Sequence, residues 1–188
     1  MDEFEDCEYK GLKGPLKQGR YQNCIFENCQ FTQNGFSGSS FQDCRFKGSL
    51  LNLVDLTSVR LKDVKFSESK LMGLSFSLCD TLLFSPVFTH CKLFRCIFTQ
   101  IKPKVGLKFD DCNIEECDFS EAKIKGSSFT RCRLPLTRFH HTDLSQSDFT
   151  ESVDFTIDVT TNKINQCKFS ASEVHSLLNV FDLEIVWN

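Results

Sequence analysis

The chain has 188 residues, of which 40% are hydrophobic and 25% charged, and its formal net charge is −3. This composition is typical of one soluble globular domain with a buried core. No apolar run reaches the roughly 18 residues that a membrane-spanning helix needs, so we expect no membrane contact.

Charge is distributed unevenly along the chain. Residues 1–44 sum to −3, residues 45–108 to +7 and residues 109–188 to −7. A basic segment beside an acidic one is typical of a protein with a charged partner. Scatter among solvated side chains gives the same sums, and the sequence leaves both interpretations open.

Residues 1–15 precede the periodic part of the chain, and we assign them to an N-terminal segment or cap. They begin with an acidic stretch from Met1 to Asp6, whereas a signal peptide begins with a basic region. We therefore expect a cytoplasmic protein. In a reducing compartment, an odd count of eleven cysteines without any C-x-x-C pair argues against both disulfides and metal binding.

A large apolar residue, which we call the centre, recurs at every fifth position from Leu16 to Phe76. The register then slips by two residues, and the next centres run from Leu83 to Phe98. It slips by one more residue before the repeat continues from Phe109 to Phe149. After a break at Asp154, the same phase returns and ends at Phe169. Fifteen of the twenty phenylalanines occupy centres, so one packing niche for an aromatic ring is used many times.

The position two residues before the centre, which we call the small position, is also selective. It holds nine of the eleven cysteines, together with several serines. Because free cysteine behaves as a small buried hydrophobe, we interpret these residues as packing residues rather than as ligands or nucleophiles.

A period of five fits neither an α-helix nor a flat strand. It fits a chain that turns a corner every five residues, with the centre and the small position both facing inward. We therefore predict an all-β protein: a right-handed, quadrilateral parallel β-helix over residues 16–169, with about seven to eight coils. Strands stacked at one spacing per coil give a rod roughly 35 Å long, and each coil depends on its neighbours for stability.

The two register slips, at residues 77–82 and 99–108, are predicted to be bulges or short loops on the rod. The second contains proline, glycine and three lysines, which suits an exposed excursion.

Residues 170–188 leave the repeat and are predicted to form a helix and a short strand. Ser170 and Glu173 have the spacing of a capping box, and the strand is expected at the end, from Leu183 to Trp187. This element either caps the open end of the rod or pairs with its own copy. We favour a homodimer through the C-terminus, with an interface formed by Val174, Leu177, Leu178, Phe181, Ile185 and Trp187.

No nucleotide-binding, metalloprotease or nucleophile-elbow motif occurs in the sequence. His140, His141 and Asp143 are close in sequence, but adjacent residues of a coil point in different directions, so we interpret them as a solvated corner. We expect no enzymatic activity, no metal and no cofactor.

Short motifs such as Cys24-Ile25-Phe26, Cys44-Arg45-Phe46 and Ser147-Asp148-Phe149 resemble the pentapeptide-repeat superfamily over residues 16–169. The C-terminal part, from Phe149 to Trp187, is similar to its bacterial topoisomerase-protection subgroup. That subgroup comprises the Qnr-type quinolone-resistance proteins, the mycobacterial MfpA type and the microcin immunity protein McbG. The resemblance implies a tail-to-tail dimer that occupies the DNA-binding surface of DNA gyrase or topoisomerase IV and relieves poisoning by quinolones or a peptide toxin.

Such a protein is a DNA mimic, in which carboxylates imitate phosphates without direct contact to nucleic acid. Two runs of acidic residues are the candidate partner-binding surface. They are Asp110, Asp111, Glu115, Glu116, Asp118 and Glu121, and Asp143, Asp148, Glu151, Asp154 and Asp158. The alternative is a generic pentapeptide-repeat scaffold that binds a different protein partner.

Overall fold

The structure, a computed structural model, describes residues 1–32, 36–181 and 183. The chain forms a parallel β-solenoid of about eight turns, as the period of five predicts, with four faces that we call A to D in chain order. Face A contains the strands β1 Asp2–Glu5, β3 Gly19–Gln22, β6 Ser40–Gln42 and β9 Arg60–Lys62.

The other three faces differ in how far their strands continue. Face B runs the length of the rod in nine strands: β2 Glu8–Lys10, β4 Ile25–Glu27, β7 Arg45–Lys47, β10 Lys65–Ser67, β12 Val87–Thr89, β14 Lys108–Asp110, β16 Ser128–Thr130, β17 Asp148–Phe149 and β18 Lys168–Phe169. Face C has five strands: β5 Gln30–Thr32, β8 Leu50–Asn52, β11 Lys70–Met72, β13 Lys92–Phe94 and β15 Asn113–Glu115. Face D is joined by isolated parallel bridges that link Ser75, Ile97, Asp118 and Arg138 in succession.

The centres of face B form one stack of nine aromatic rings. Tyr9 stacks on Phe26 at a centroid distance of 4.9 Å, and Phe149 stacks on Phe169 at 5.2 Å at the other end. The intervening rings follow the register of the strands, one ring per coil. Because the rings repeat at the same spacing as parallel strands, about 4.8 Å, every coil contacts the next through its core.

The small position does more than fill space, because its side chain links successive coils. The amide of Cys29 donates to Oγ of Ser49 at 3.1 Å, and the amide of Ser49 donates to Oγ of Ser69 at 3.0 Å. Where the acceptor is a cysteine, the amide of Cys91 donates to Sγ of Cys112 at 3.4 Å. Selection of serine and cysteine here therefore satisfies a buried backbone N–H that would otherwise lack a partner.

Among the described residues, most corners are turned by the residue two positions after the centre. These corner residues adopt positive φ, for example 51° at Asn23 and 55° at Asp43. Asparagine, aspartate and glycine tolerate this left-handed region best. The corner side chains point outward, so a charged residue there lies on the surface.

Both register slips are present, and both are absorbed on face A. Strand partners are 20 residues apart for Phe46 and Phe66, but 22 apart for Phe66 and Phe88 and 21 apart for Phe88 and Phe109. The first slip includes two short 3₁₀ helices, Phe76–Leu78 and Thr81–Leu83. Face A has no further strand beyond β9 among the described residues, whereas face B continues in register.

The solenoid begins earlier than the sequence indicates. Strand β1 pairs with β3, and β2 pairs with β4, both in parallel register. Most of the segment assigned to a cap therefore forms a first coil, with Phe4 stacked on Tyr21 at 4.6 Å.

At the C-terminus, one 3₁₀ helix spans Ala171–Phe181. The predicted capping box is wrong, because Oγ of Ser170 accepts a hydrogen bond from the amide of Glu151 at 2.8 Å instead of capping this helix. The predicted closing strand lies outside the described residues apart from Leu183. No helix among the described residues is long and apolar enough to cross a membrane.

The aromatic stack predicts a large stability effect for Phe109, which is fully buried between Phe88 at 4.8 Å and Phe129 at 5.0 Å. We expect Phe109→Ala to lower the free energy of unfolding by about 3–5 kcal/mol in denaturant titrations. The matched control is Phe94→Ala, because Phe94 lies half-buried on the outer side of β13, and it should cost about 1 kcal/mol or less. Equal losses for the two variants would contradict a core held by the stack.

Candidate interaction surface

The acidic residues predicted as a partner-binding surface occupy two coils and circle the rod. The first acidic band, residues 109–121, runs over faces B, C and D and contains six acids and no base. The second acidic band, residues 142–161, runs over all four faces and contains five acids and no base. The coil between them is a basic band, residues 122–141, with five bases and no acid. The structure therefore distributes the carboxylates over all four faces in layers of alternating charge.

The alternating bands pair across neighbouring coils. Arg131 contacts Asp110, and both Nε and Nη2 of Arg133 lie within 3.0 Å of one oxygen of Asp154. On face D, Arg138 lies 3.8 Å from Asp118.

The outer coils continue this pairing. Arg95 contacts Glu116 at 2.7 Å, His90 contacts Asp111 at 2.8 Å, and Lys168 lies 3.5 Å from Asp148. Exposed pairs of this kind contribute little to stability, about 0–1 kcal/mol each, but they occupy carboxylates that a partner would need.

Four aspartates of the two bands have a local role in the backbone. In Asp118, Asp143, Asp148 and Asp158, one side-chain oxygen accepts the amide of the residue two positions later, at 2.8 to 3.1 Å. This is an Asx turn, a common use of aspartate where the chain bends.

The turns also change the acidity of these groups. Hydrogen bonds from the hydroxyl and amide of Thr160 hold the pKa of Asp158 below its usual value. Burial raises the pKa of Asp148, but hydrogen bonds from Thr150 and the charge of Lys168 outweigh it, so the net shift is downward. In Asp143, likewise, the hydrogen bonds from Ser145 and nearby lysines outweigh burial, and the pKa is lowered.

Three of the eleven predicted carboxylates have neither an ion pair nor a turn role among the described residues. Glu121 accepts a hydrogen bond from Gln100 at 2.9 Å. Glu115 has a 3.5 Å contact from Asn113 and interacts electrostatically with Arg95, whose ion pair is with Glu116. Within the described part of the chain, no hydrogen bond or ion pair is found for the carboxylate of Glu151, which is exposed at the corner after Phe149. These three side chains lie on different parts of the surface.

The helix Ala171–Phe181 divides the predicted dimer residues into two groups. Leu177 is 8% exposed and packs against the solenoid core, and Leu178 is half-buried. Val174 and Phe181 are 42% and 47% exposed, so they are the side chains available to a second copy. Ile185 and Trp187 lie outside the described residues.

Cysteine and histidine form no chemical centre in the described part of the chain. Burial raises the pKa of Cys44 to about 12, which keeps it a neutral thiol, and Cys91 is buried beside the His90–Asp111 pair rather than exposed as a nucleophile. No cluster of three or more potential metal ligands occurs among the described residues.

A surface that the sequence analysis did not identify lies on face A. The two register slips, 77–82 and 99–108, meet there in adjacent coils and enclose a cleft of about 280 Å³. Its lining includes Leu82, Leu83, Val105, Lys62 and Lys104. The sequence could have indicated this surface. Each slip lies between a centre of face D and the next centre of face B, so both slips must fall on face A.

Comparison with known proteins agrees with this architecture. The family model described as "Pentapeptide repeat region" matches residues 20–101, and that described as "Pentapeptide repeats (8 copies)" matches residues 111–150. No curated protein matches the chain.

Similar solved structures include QnrB1, described as a plasmid-mediated fluoroquinolone resistance protein. A trypsin-treated variant of QnrB1 has a TM-score of 0.58 at 16% identity, covering 97% of this chain and 99% of that chain. Full-length QnrB1 has a TM-score of 0.53 at 13% identity, covering 97% and 100%. HetL from Nostoc sp. strain PCC 7120, described as a pentapeptide repeat protein involved in heterocyst differentiation regulation, has a TM-score of 0.36 at 13% identity, covering 88% and 81%. Identities this low show the shared fold alone.

The lowered pKa of Asp148 predicts how stability depends on pH. A carboxyl whose folded pKa is depressed stabilises the fold above its ordinary value of 3.8, and this contribution is lost as the pH falls through the folded pKa. We expect Asp148→Asn to lower the thermal midpoint at pH 7 and to reduce the loss of stability between about pH 5 and pH 2. Thr150→Val, which removes the hydroxyl donor but keeps the amide, should give an intermediate result. An unchanged pH profile in Asp148→Asn would refute this assignment.

Proposed function

Because the chain belongs to the pentapeptide-repeat family, we propose that it acts without catalysis, as a rigid rod whose outer surface binds another protein. The observation that carries this proposal is the core: inward-facing centres and small residues fill the described solenoid from Tyr21 to Phe155 with side chains at most 7% exposed. Catalysis needs a concave site with converging functional groups. A filled rod instead offers a long, preorganised surface.

We further propose that the partner is a type II topoisomerase, DNA gyrase or topoisomerase IV, which the protein protects from quinolones or a peptide toxin. Two observations support this proposal. The sequence resembles the topoisomerase-protection subgroup in its C-terminal part, and the fold corresponds over nearly the whole of both chains to QnrB1, a fluoroquinolone resistance protein. The protein would act without direct contact to DNA or membrane.

The alternating charge bands limit which carboxylates can imitate phosphates in the DNA-mimic mechanism. A phosphate mimic must present carboxylates that a basic partner surface can reach, and most acids of the two bands are engaged by neighbouring coils. The carboxylates available without breaking an ion pair or a turn are Glu115 and Glu151, with Glu121 held only by Gln100. We assign the partner contact to these glutamates, and we assign a structural role to the paired aspartates.

A supercoiling assay tests this assignment. With gyrase and a quinolone at a fixed dose, the wild-type protein should restore supercoiling at micromolar concentration, and the double variant Glu115→Gln/Glu151→Gln should need about tenfold more protein. Tenfold is the minimum expected, because the loss of only one of the two charge-assisted contacts already has about this size. The matched control Glu27→Gln/Glu68→Gln makes the same chemical change outside the bands and should behave as wild type.

Absence of both protection and inhibition by the wild-type protein at micromolar levels would overturn the topoisomerase proposal. A generic scaffold for another protein partner is then the second candidate, and the alternation of charge favours it. Layers of opposite charge, one coil apart, are complementary to a protein surface whose charges also alternate. They are less complementary to the uniformly basic surface that binds DNA.

We also propose that the protein is a homodimer joined through its C-terminal helices. Val174 and Phe181 leave nearly half of each side chain in water at the end of the rod, where a two-fold contact between copies would bury them.

Light scattering tests the dimer. The wild-type protein should have about twice the chain mass of 21.6 kDa, and Val174→Asp/Phe181→Asp should have the monomer mass without losing its fold, because both side chains are already exposed. Leu136→Asp is the control, since Leu136 is 79% exposed on a corner of the solenoid, and it should remain dimeric. A monomeric wild type would exclude the interface.

A further inference from the structure

The cleft on face A exposes apolar side chains that the fold itself does not require. Leu82, Leu83 and Val105 are 61%, 52% and 56% exposed, and all three line the same cleft. Leu82 and Val105 belong to the two register slips, which come from different coils, and Leu83 follows the first slip directly. Solvent-exposed aliphatic residues that converge from two separate insertions are typical of an interaction site.

The first slip is held rigidly. Oδ1 of Asp80 accepts the amide of Leu82 at 3.0 Å, and its Oδ2 accepts Nε of Arg60 at 2.9 Å. On the far side, Oγ of Ser85 accepts the amide of Asp63 at 2.8 Å and donates to Oδ1 of Asp63 at 3.0 Å. Leu82 and Leu83 are therefore fixed in their outward orientation before any partner binds.

The second slip is anchored just as closely. Ile101 and Leu107 are 2% and 1% exposed, and the amide of Leu107 donates to Oγ of Ser127 at 2.8 Å. A Cβ at Gly106 would lie 2.3 Å from the carbonyl oxygen of Gly126, so only glycine permits this approach. Val105 is thereby held beside the leucines, and the cleft needs no rearrangement to form.

The rim of the cleft is positively charged. Lys62 and Lys104 line it and make no ion pair among the described residues, and they outnumber the single carboxylate of the lining, Asp63, which is hydrogen-bonded to Ser85. Asp80 lines the adjoining depression and is paired with Arg60. Further along the same face, exposed lysines continue the positive surface: Lys102, Lys123 and Lys125. An adjoining depression of about 440 Å³ shares Leu82, Leu83 and Lys62, so the two leucines can be reached from two sides.

We infer that this cleft binds a segment of a partner protein in which aliphatic side chains are flanked by carboxylates. The leucines and Val105 would cover the aliphatic side chains, and Lys62 and Lys104 would pair with the acids. Charge complementarity selects this occupant over a basic or neutral one. Single-stranded nucleic acid is disfavoured, because its binding sites stack bases on exposed aromatic rings, and Phe84, the aromatic residue of the lining, is 1% exposed.

This inference does not depend on the topoisomerase proposal. The cleft is basic and lies in the middle of the rod, whereas the glutamates assigned to the topoisomerase are acidic and belong to the two acidic bands. Variants of one surface leave the other unchanged, so failure of either proposal can be recognised separately in the supercoiling assay and in the experiment below.

Selection from a random dodecapeptide phage library against the immobilised full chain tests the inference. The enriched peptides are synthesised, and their affinities are measured by fluorescence anisotropy against four variants. Two variants change the cleft, Leu82→Ser/Val105→Ser and Lys62→Glu/Lys104→Glu. Two controls make the same types of change on the opposite side of the rod, Leu136→Ser and Lys92→Glu. The replaced side chains are exposed, except for Lys62, which is half-buried at the end of β9 with its side chain outward, so thermal unfolding should show each variant folded.

We expect the enriched peptides to combine leucine, isoleucine or valine with aspartate or glutamate. Both cleft variants should weaken binding by at least about tenfold, the lysine variant should also reduce the salt dependence, and both controls should bind as wild type. The inference is wrong if the library yields no enrichment, if the enriched peptides are basic or lack aliphatic residues, or if the cleft variants bind as wild type. Tighter cleft-dependent binding of a dT oligonucleotide than of any peptide would also overturn it.

Discussion

The structure depends on one coincidence of distances: parallel strands and stacked aromatic rings repeat at nearly the same spacing. Strands lie about 4.8 Å apart, and neighbouring rings of face B lie 4.5 to 5.2 Å apart. One ring per coil on the same face therefore contacts the ring above and the ring below without adjusting the backbone. Because each coil has almost no core of its own, this contact makes the coils mutually dependent.

The same constraint decides where the chain tolerates extra residues. A stack of nine rings requires face B to stay in register, so an insertion must be absorbed elsewhere in the coil. Both slips are absorbed on face A, where the strands end after β9 and the backbone bends outward at Leu82 and Val105. The cleft exists because the core does not permit the added residues on any face that carries the stack.

The period of five was sufficient to predict the coils, most of the centres and both slips, because each follows from spacing along the chain. It was wrong at Leu83, which is 52% exposed, because the first slip ends one residue later and buries Phe84 instead. The first coil was missed because only Phe4 and Tyr9 are five residues apart, and the repeat is interrupted between Tyr9 and Leu16. The capping box failed because Ser170 is used by the preceding coil, through the amide of Glu151. A local sequence motif does not predict a helix cap where its side-chain oxygen already accepts a hydrogen bond from a residue 19 positions away.

Charge shows the same difference between sequence and structure. Along the chain, the residues from Asp110 to Glu121 form an acidic run, but a coil spreads that run over three faces. Bases lie one coil away on either side of it, at Arg131 and Arg138 after it and at Arg95 before it. Neighbours in space are therefore the residues one coil apart, and in that register most carboxylates meet a base. The slips shift this register on face A, and Lys62 and Lys104 lie beside the break without an opposite charge to pair with in the described structure. Unpaired charge therefore remains in both places, on glutamates such as Glu151 in the regular coils and on the two lysines beside the slips, and both proposed surfaces use such charge.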